Sequence, residues 1–564
     1  MKKLHAFSVV ASCLLLSFSL ARGAETPTIT ISKSDKIPIA IGSIAGADGG
    51  PAAKILQNDL AMSGYFNLVP SASAGFIVGG TSNGNSLAGS VTDRSGKTVL
   101  MKTFSGSARG KVHAYADEIV ETLTGNKGIA SSKVAFVGTH TGHKEIYLAD
   151  ADGSNVRQLT NDANISVGPR LSPDGSHLVY TGYKSGYADV YEIDLGSGAR
   201  NRIIKFPGTN TGAAYSPNGR ELAVILSKDG NPELYTTSAG GGGAHRLTHT
   251  PGVESSPTWS PSGDEIIYSS DDRGGPQLYR ISSGGGSGRL ISTGHGYNTE
   301  PNWSPDGKKV AFTVRDGGFT IAVLDLGSGN VHTVGSGEGP AWGADSRHLI
   351  FAEGGSLILL DAQTGQKTTL VSGLGQNLRA NLVPLIARPT HFAMKLIRLF
   401  SIAALALATL SFAGCTHGKK GAGAGSGAAD GDYVNGTPLP DRQEGVSFLG
   451  SNVDRNKFRP VYFGFDSYAI GGGERSKIDE VAQFLKSASN TIIIAGFTDE
   501  RGTPEYNRGL GERRAQAVRE ALIRDGADGS KIQTVSFGAE MPADQGSNES
   551  AWAKNRRAEF GVVR

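Results

Sequence analysis

Followed for its alternation of apolar and polar positions, the middle of the chain repeats itself. Ser172-Pro173-Asp174-Gly175, Ser216-Pro217-Asn218-Gly219, Ser260-Pro261-Ser262-Gly263 and Ser304-Pro305-Asp306-Gly307 recur every 44 residues, and a degraded copy, Gly343-Ala344-Asp345-Ser346, comes 39 residues later. A short β-rich run follows each turn, from Leu178-Val179-Tyr180 to Leu349-Ile350-Phe351, and Val134 to Val137 supplies one more copy ahead of them. A second strand precedes a Gly-rich turn, as in Asp189-Val190-Tyr191 and Glu233-Leu234-Tyr235. One such sheet cannot bury both faces alone, so the copies must stack. A period of roughly 40 to 45 residues with four short strands predicts a β-propeller, here six-bladed over residues 131–378.

The flanks read differently. Residues 24–130 mix strand-like pieces (Ile37 to Ile41, Phe76 to Val78, Thr98 to Met101) with two helical ones, Ala52 to Met62 and Val112 to Leu123, which makes a small α/β domain. Over 446–564 an amphipathic helix (Ser476 to Lys486), a buried strand (Thr491 to Gly496) and a helix from about Asn507 to Arg524 predict an α+β domain. Several domains are also what 564 residues require at roughly 100 to 200 per domain.

Charge and cysteine usage narrow the function. Lys and Arg number 55 against 52 Asp and Glu, which leaves no basic field for nucleic acid. Both cysteines, Cys13 and Cys415, sit in apolar stretches, so the folded bodies have no thiols for disulfides or Zn clusters, and neither metal nor cofactor is expected. Residues 1–23, with Lys2 and Lys3, an apolar run and Ala21-Arg22-Gly23, read as a secretory signal. A second signal lies inside the chain at 394–414. Met394-Lys395-Leu396-Ile397-Arg398, a 15-residue apolar run and Gly414-Cys415 resemble a bacterial lipoprotein signal. That run is short of the ~20 residues a spanning helix needs. Cys415 would then be the lipid-attachment residue of a part anchored to the outer membrane from the periplasm. Residues 415–445, rich in Gly, Ala and Asp, read as a flexible tether with nothing to pack.

Asp499 ends the buried strand, and Asn507, Leu510 and Arg514 form one stripe of the following helix, so Asp499 can face Arg514 across a loop shaped by Gly502 and Pro504. A carboxylate and a guanidinium on one rim suit a zwitterionic ligand such as the diaminopimelate of peptidoglycan. The alternative is a salt bridge that only pins loop to helix.

Two resemblances sharpen this. The order of export signal, small α/β domain and Ser-Pro-Asp-Gly repeats, with Ile37 to Ile44 and Ile55 to Val69, resembles the TolB family of the periplasmic Tol-Pal system. It implies that the segment near Ala24 to Lys33 docks the inner-membrane partner TolA and that the propeller mouth receives Pal. Phe497-Thr498-Asp499-Glu500-Arg501-Gly502-Thr503-Pro504-Glu505-Tyr506-Asn507, Leu510 to Val518 and Asn555 to Phe560 resemble the OmpA-like peptidoglycan-binding domain of the Pal family. Carried over by motif, Asp499 and Arg514 hold the diaminopimelate, Arg501 and Leu510 line the pocket, and Phe465 with Asp466 supply the opposite loop. Phe497 stands where that family often has His, a lost hydrogen bond beside the pocket. Gly509 weakens the first helical turn by about 1 kcal/mol relative to Ala. The implied function is a non-enzymatic link between outer membrane and peptidoglycan that supports envelope integrity and constriction at division.

The competing class is a propeller-containing periplasmic peptidase or hydrolase. Gly80-Thr81-Ser82-Asn83-Gly84 has the nucleophile-elbow spacing but a strand-like continuation where the elbow needs a helix. His140, His143 and Glu145 have loose metal-ligand spacing, yet Glu145 occupies the repeat position of Asp189 and Glu233. Residues 379–393 read as an unstructured junction without the Pro-x-Trp-Ser-Pro strand that closes TolB-type propellers, which puts closure of the ring in doubt. A missing strand, a featureless junction and a signal with its own Met394 together suggest two reading frames run together, or else a fusion processed at Cys415.

Overall fold

The Ser-Pro-Asp-Gly turns fold because each side chain closes a bond. Ser172 Oγ donates to Asp174 Oδ1 (2.7 Å), the His177 amide donates to Ser172 Oγ (2.9 Å), and Gly175 takes the left-handed φ of 67° that completes the turn. In the degraded copy Ser346 takes φ 55° instead, and Asp345 accepts from the amides of Arg347 and His348 and pairs with His348 Nδ1.

The computed structural model describes residues 36–373, 380–383 and 438–564. The export signal, the Ala24 to Lys33 segment, the internal lipoprotein signal and Cys415 lie outside them.

Among the described residues six four-stranded sheets follow one another, each with its own apolar cluster at the seam to the next. They are the blades of the propeller, numbered here in chain order; blade 2, for example, consists of Ser166–Leu171, His177–Gly182, Asp189–Asp194 and Arg200–Ile204. The seam between blades 6 and 1, with Ile350, Leu357 and Leu359 against Val134, Phe136 and Tyr147, completes the ring.

The ring closes through a strand that lacks the expected motif. Ala380–Val383 pairs antiparallel with Lys133–Gly138, Ala380 opposite Phe136 and Val383 opposite Lys133, and supplies the missing strand of blade 1. Strand pairing needs backbone N–H and C=O groups, and Ala-Asn-Leu-Val offers these as well as a Pro-Trp motif does. Residues 380–383 are therefore not unstructured, and one of the three features that suggested joined reading frames disappears.

The N-terminal domain is a five-stranded sheet whose helices α1 (Gly49–Met62) and α2 (Gly110–Thr124) pack a core around Leu56, Leu60, Tyr115 and Ile119. Ser82 lies within strand Phe76–Asn83, so no nucleophile elbow forms there. Arg347 of blade 6 fastens this domain: it grips Asp361, donates to the Gly64 carbonyl (3.1 Å) and lies 4.2 Å from the centre of the Tyr65 ring.

In the C-terminal domain, α3 (Arg475–Ser487) and α4 (Pro504–Arg524) cover one face of a sheet whose central strands are Ile492–Phe497, Ile532–Gly538 and Arg557–Val563. Helix α4 begins three residues earlier than the sequence suggested because Pro504 sits at its first position, where no N–H is required. Ile492 and Ile494 face the helices. Ile493, Ala495 and Phe497, on the opposite face, pack with Val535 and Phe537 against Tyr183, Tyr187 and Ala188 of the propeller. That double burial explains why this strand reads as an unbroken apolar run.

The tether expectation fails at its C-terminal end. Leu439 is buried, and its amide donates to the Lys228 carbonyl (3.1 Å), while Arg442 lies over the Tyr187 ring. Composition had hidden these two anchors among residues with nothing to pack.

Candidate functional site

The loop after strand Ile492–Phe497 is held from behind by α4. Asn507 Nδ2 donates to the carbonyls of Asp499 (3.1 Å) and Gly502 (2.9 Å), which fixes the loop's shape. Asp499 is nearly buried, but its partner is not Arg514. Its Oδ2 takes Arg501 Nη2 at 2.7 Å and Arg556 Nη1 at 3.2 Å, and its Oδ1 takes the Arg501 amide. Despite burial, these bonds hold its carboxyl below the usual aspartate range.

Arg514 is buried too and gives three of its five N–H donors to backbone: Nε to Ser467 O (2.9 Å), Nη1 to Phe497 O (2.8 Å) and Nη2 to Gly464 O (3.2 Å). Burial lowers it to about 10. The simple Asp499–Arg514 salt bridge is therefore absent. Instead a guanidinium that meets no carboxylate among the described residues sits near a carboxylate that carries two guanidinium groups.

Arg501 lies 4.0 Å from the centre of the Phe465 ring and 4.2 Å from that of Trp552, so it bridges the two rims. Asp466, in the left-handed conformation (φ 50°), accepts from Tyr506 Oη at 2.7 Å. Leu510 packs with Tyr506 and Val253. Arg556, which spacing alone did not point to although Asn555-Arg556-Arg557 carried the resemblance, belongs to this cluster. It joins Asp499, the Phe463 carbonyl (3.0 Å) and Glu549 (2.7 Å). Glu549 and Trp552, on α5 (Glu549–Asn555), had no legible signal. Phe497 points to the other sheet face, stacked on Phe537 at 5.5 Å with Arg557 above it, so its side chain costs this pocket no hydrogen bond. The helix survives Gly509 intact.

Of the earlier metal candidates, Glu145 accepts from the amides of Asp162 (2.9 Å) and Ala163 (3.0 Å) and from Thr160, and His140 meets the Tyr147 hydroxyl. Both act within blade 1.

The propeller covers much of this rim. Arg315 Nη1 donates to the Arg501 carbonyl (2.6 Å), the Thr503 amide donates to Tyr297 Oη (3.2 Å), and Arg508 Nε donates to Thr211 Oγ1 (3.2 Å). Buried Glu512 accepts from Thr209 (2.8 Å) and Ser227 (3.0 Å). Helix α4 thus carries site residues and docking residues together.

Tyr506 Oη also lies 3.0 Å from Asp271 Oδ2 of blade 4, and one phenolic hydrogen cannot serve two carboxylates. Burial pushes Asp271 up to about 6, where its carboxyl supplies the second hydrogen. The docked state then binds a proton that the open state, near the ordinary value of about 3.9, releases. Docking should strengthen as pH falls through about 6 and level off near 4. Interdomain distance followed by fluorescence transfer across that range checks this, and Asp271→Asn should flatten the profile.

The comparisons with known proteins agree with this architecture. A family model described as the TolB beta propeller domain matches residues 120–380, and one described as the OmpA family matches 462–556. The peptidoglycan-associated lipoprotein of Pasteurella multocida is 44% identical over 126 residues, 22% of this chain and 84% of that protein. A protein TolB homolog of Chlorobaculum tepidum is 42% identical over 91 residues, 16% of this chain and 21% of that one. The crystal structure of TolB from Acinetobacter baumannii superposes with a TM-score of 0.56 at 23% identity, covering 62% of this chain and 97% of the other, and so shares the fold.

Proposed function

As a chain that belongs to the peptidoglycan-associated lipoprotein family and carries a TolB β-propeller domain ahead of that family's domain, the protein is a Tol-Pal component linking outer membrane and peptidoglycan, and we propose that the link runs through the diaminopimelate stem peptide. The observation that carries this is buried Arg514, whose guanidinium pairs with no carboxylate among the described residues while Asp499 is held ionised nearby. A ligand carboxylate can add to Arg514, and a ligand ammonium to Asp499. Arg501, Leu510, Phe465 and Asp466 line the approach. The function is binding, without bond making or breaking, in support of envelope integrity and constriction at division.

The docked arrangement supports a second state. With Arg501, Thr503 and Leu510 against the propeller, peptidoglycan meets a covered rim, so the propeller and the stem peptide use one face in turn. The Ala24 to Lys33 segment would take TolA, and acylated Cys415 would anchor the C-terminal part in the outer membrane. Feeding cells an alkyne-tagged fatty acid and fractionating the envelope tests the anchor. A labelled C-terminal product in the outer membrane is expected, and Cys415→Ser should move it, unlabelled, out of that fraction. A label that persists in the Cys415→Ser protein would refute the anchor.

A further inference from the structure

The strap Pro438 to Gly445 leads into the C-terminal domain and lies on blades 2 and 3. Arg442, 10% exposed at its side chain, sends Nη1 to Asp189 Oδ1 at 2.5 Å and Nη2 to the Gly208 carbonyl, with its guanidinium 4.4 Å from the centre of the Tyr187 ring. Leu439 is buried three residues earlier. The strap backbone is held as well: the Leu439 amide donates to Lys228 O, Arg519 Nη2 to Pro438 O (3.1 Å) and Gln533 Nε2 to Asp441 O (3.2 Å).

The repeat itself explains why a cation site exists at this blade. Asp189 occupies the position of Glu145 in blade 1 and Glu233 in blade 3. Those two glutamates reach the next turn and accept its backbone amides, Asp162 and Ala163 in one case and Thr250 in the other. Aspartate is one methylene shorter. In blade 2 the corresponding amide, that of Phe206, is taken by Asn210 Oδ1 instead (3.1 Å). Asp189, fully buried, takes Ser185 Oγ (2.6 Å) and a long contact to Arg202 (3.4 Å) on Oδ2, while its Oδ1 accepts only Asn210 Nδ2 (3.2 Å) from the propeller and so has a second lone pair for the strap. A buried carboxylate beside an aromatic face and a carbonyl forms a socket for a planar guanidinium, which a lysine cannot fill in the same way.

We propose that the propeller carries a separate guanidinium pocket, formed by Asp189, Tyr187 and the Gly208 carbonyl, whose ligand is an extended peptide with a leucine three residues before an arginine, here Leu439 and Arg442. This goes beyond the stem-peptide reading and uses none of its site residues. It gives the propeller a second hold on the chain when the globular face lets go.

Hydrogen exchange on the full chain tests it, read over the peptide 438–445. Arg442→Ala and Asp189→Asn should each make the strap exchange at least tenfold faster, and Arg442→Lys should do the same because the fork is lost. Gly509→Ala, which loosens the globular face, should leave strap protection within a fewfold of wild type. Unchanged exchange in Arg442→Ala, or full protection in Arg442→Lys, would overturn the pocket. Loss of strap protection in Gly509→Ala would show instead that the strap only follows the domain. A fluorescent peptide of the 436–446 sequence gives a second readout: it should bind the Arg442→Ala chain, whose pocket is empty, and not the chain that also carries Asp189→Asn.

Discussion

Replacing Arg514 with alanine, or Asp499 with alanine, is expected to cost the C-terminal domain about 2 to 5 kcal/mol of peptidoglycan affinity, roughly 30-fold to several thousand-fold in Kd. The magnitude follows from burial: each group is almost fully removed from water, and deleting it strands a charged partner, the ligand carboxylate in one case and the ligand ammonium in the other. Arg514 also holds three loop carbonyls, so Arg514→Ala should lower thermal stability as well as binding. Asp499→Asn separates the two effects. It keeps the shape of the loop, and binding should still fall by more than tenfold although melting changes little. The Asp499 contribution should persist from neutral pH down to the ordinary aspartate value near 3.9, and disappear only as pH falls through the depressed folded value below it. Sacculus sedimentation across pH 4 to 8 reads this as a flat profile in the Gly509→Ala chain that also carries Asp271→Asn, where docking is weakened and no longer titrates, whereas wild type should bind less as docking strengthens below about pH 6.

The second large effect concerns Gly509 and has opposite signs in two measurements. In the middle of a helix glycine costs about 1 kcal/mol relative to alanine. The docked structure shows what the glycine permits: a Cβ at position 509 would stand 2.3 Å from Val253 Cγ1, and Val253 is fully buried. Gly509→Ala should therefore stabilise α4 while the added methyl costs docking about 1 to 3 kcal/mol, the usual penalty of overpacking. In chains whose docking is already broken by Arg315→Ala a urea titration of the C-terminal transition should move to higher denaturant, while interdomain fluorescence transfer falls in the otherwise unaltered chain. Sacculus binding by the full chain should rise at the same time, because the rim that Arg315 and Tyr297 cover becomes available.

These two cases also show what the sequence made legible. The repeat, the α4 stripe and the loop motif were readable because turns and helices are encoded by local spacing. Asn507, for instance, was placed on the correct face and proves to pin the loop. The partner of Asp499 was not readable that way. Arg501 is two residues on and Arg556 lies across the sheet, so the helical spacing that pointed to Arg514 could not rank them. The closing strand Ala380–Val383 was missed because backbone pairing leaves little trace in side chains. Gly509 looked like a defect because its reason lies in Val253, more than two hundred residues away in the chain.

The central claim, that Asp499 and Arg514 read the two ends of a zwitterionic side chain, is tested most directly by calorimetry with two muropeptides that differ only at the third stem residue. Diaminopimelate offers a distal ammonium and a distal carboxylate, whereas lysine offers the ammonium alone. With the Gly509→Ala chain, in which the rim is open, the diaminopimelate muropeptide should bind and the lysine one should bind at least tenfold more weakly. That difference should vanish when Arg514 is replaced by alanine. Equal affinity for the two muropeptides with Arg514 in place would contradict the account.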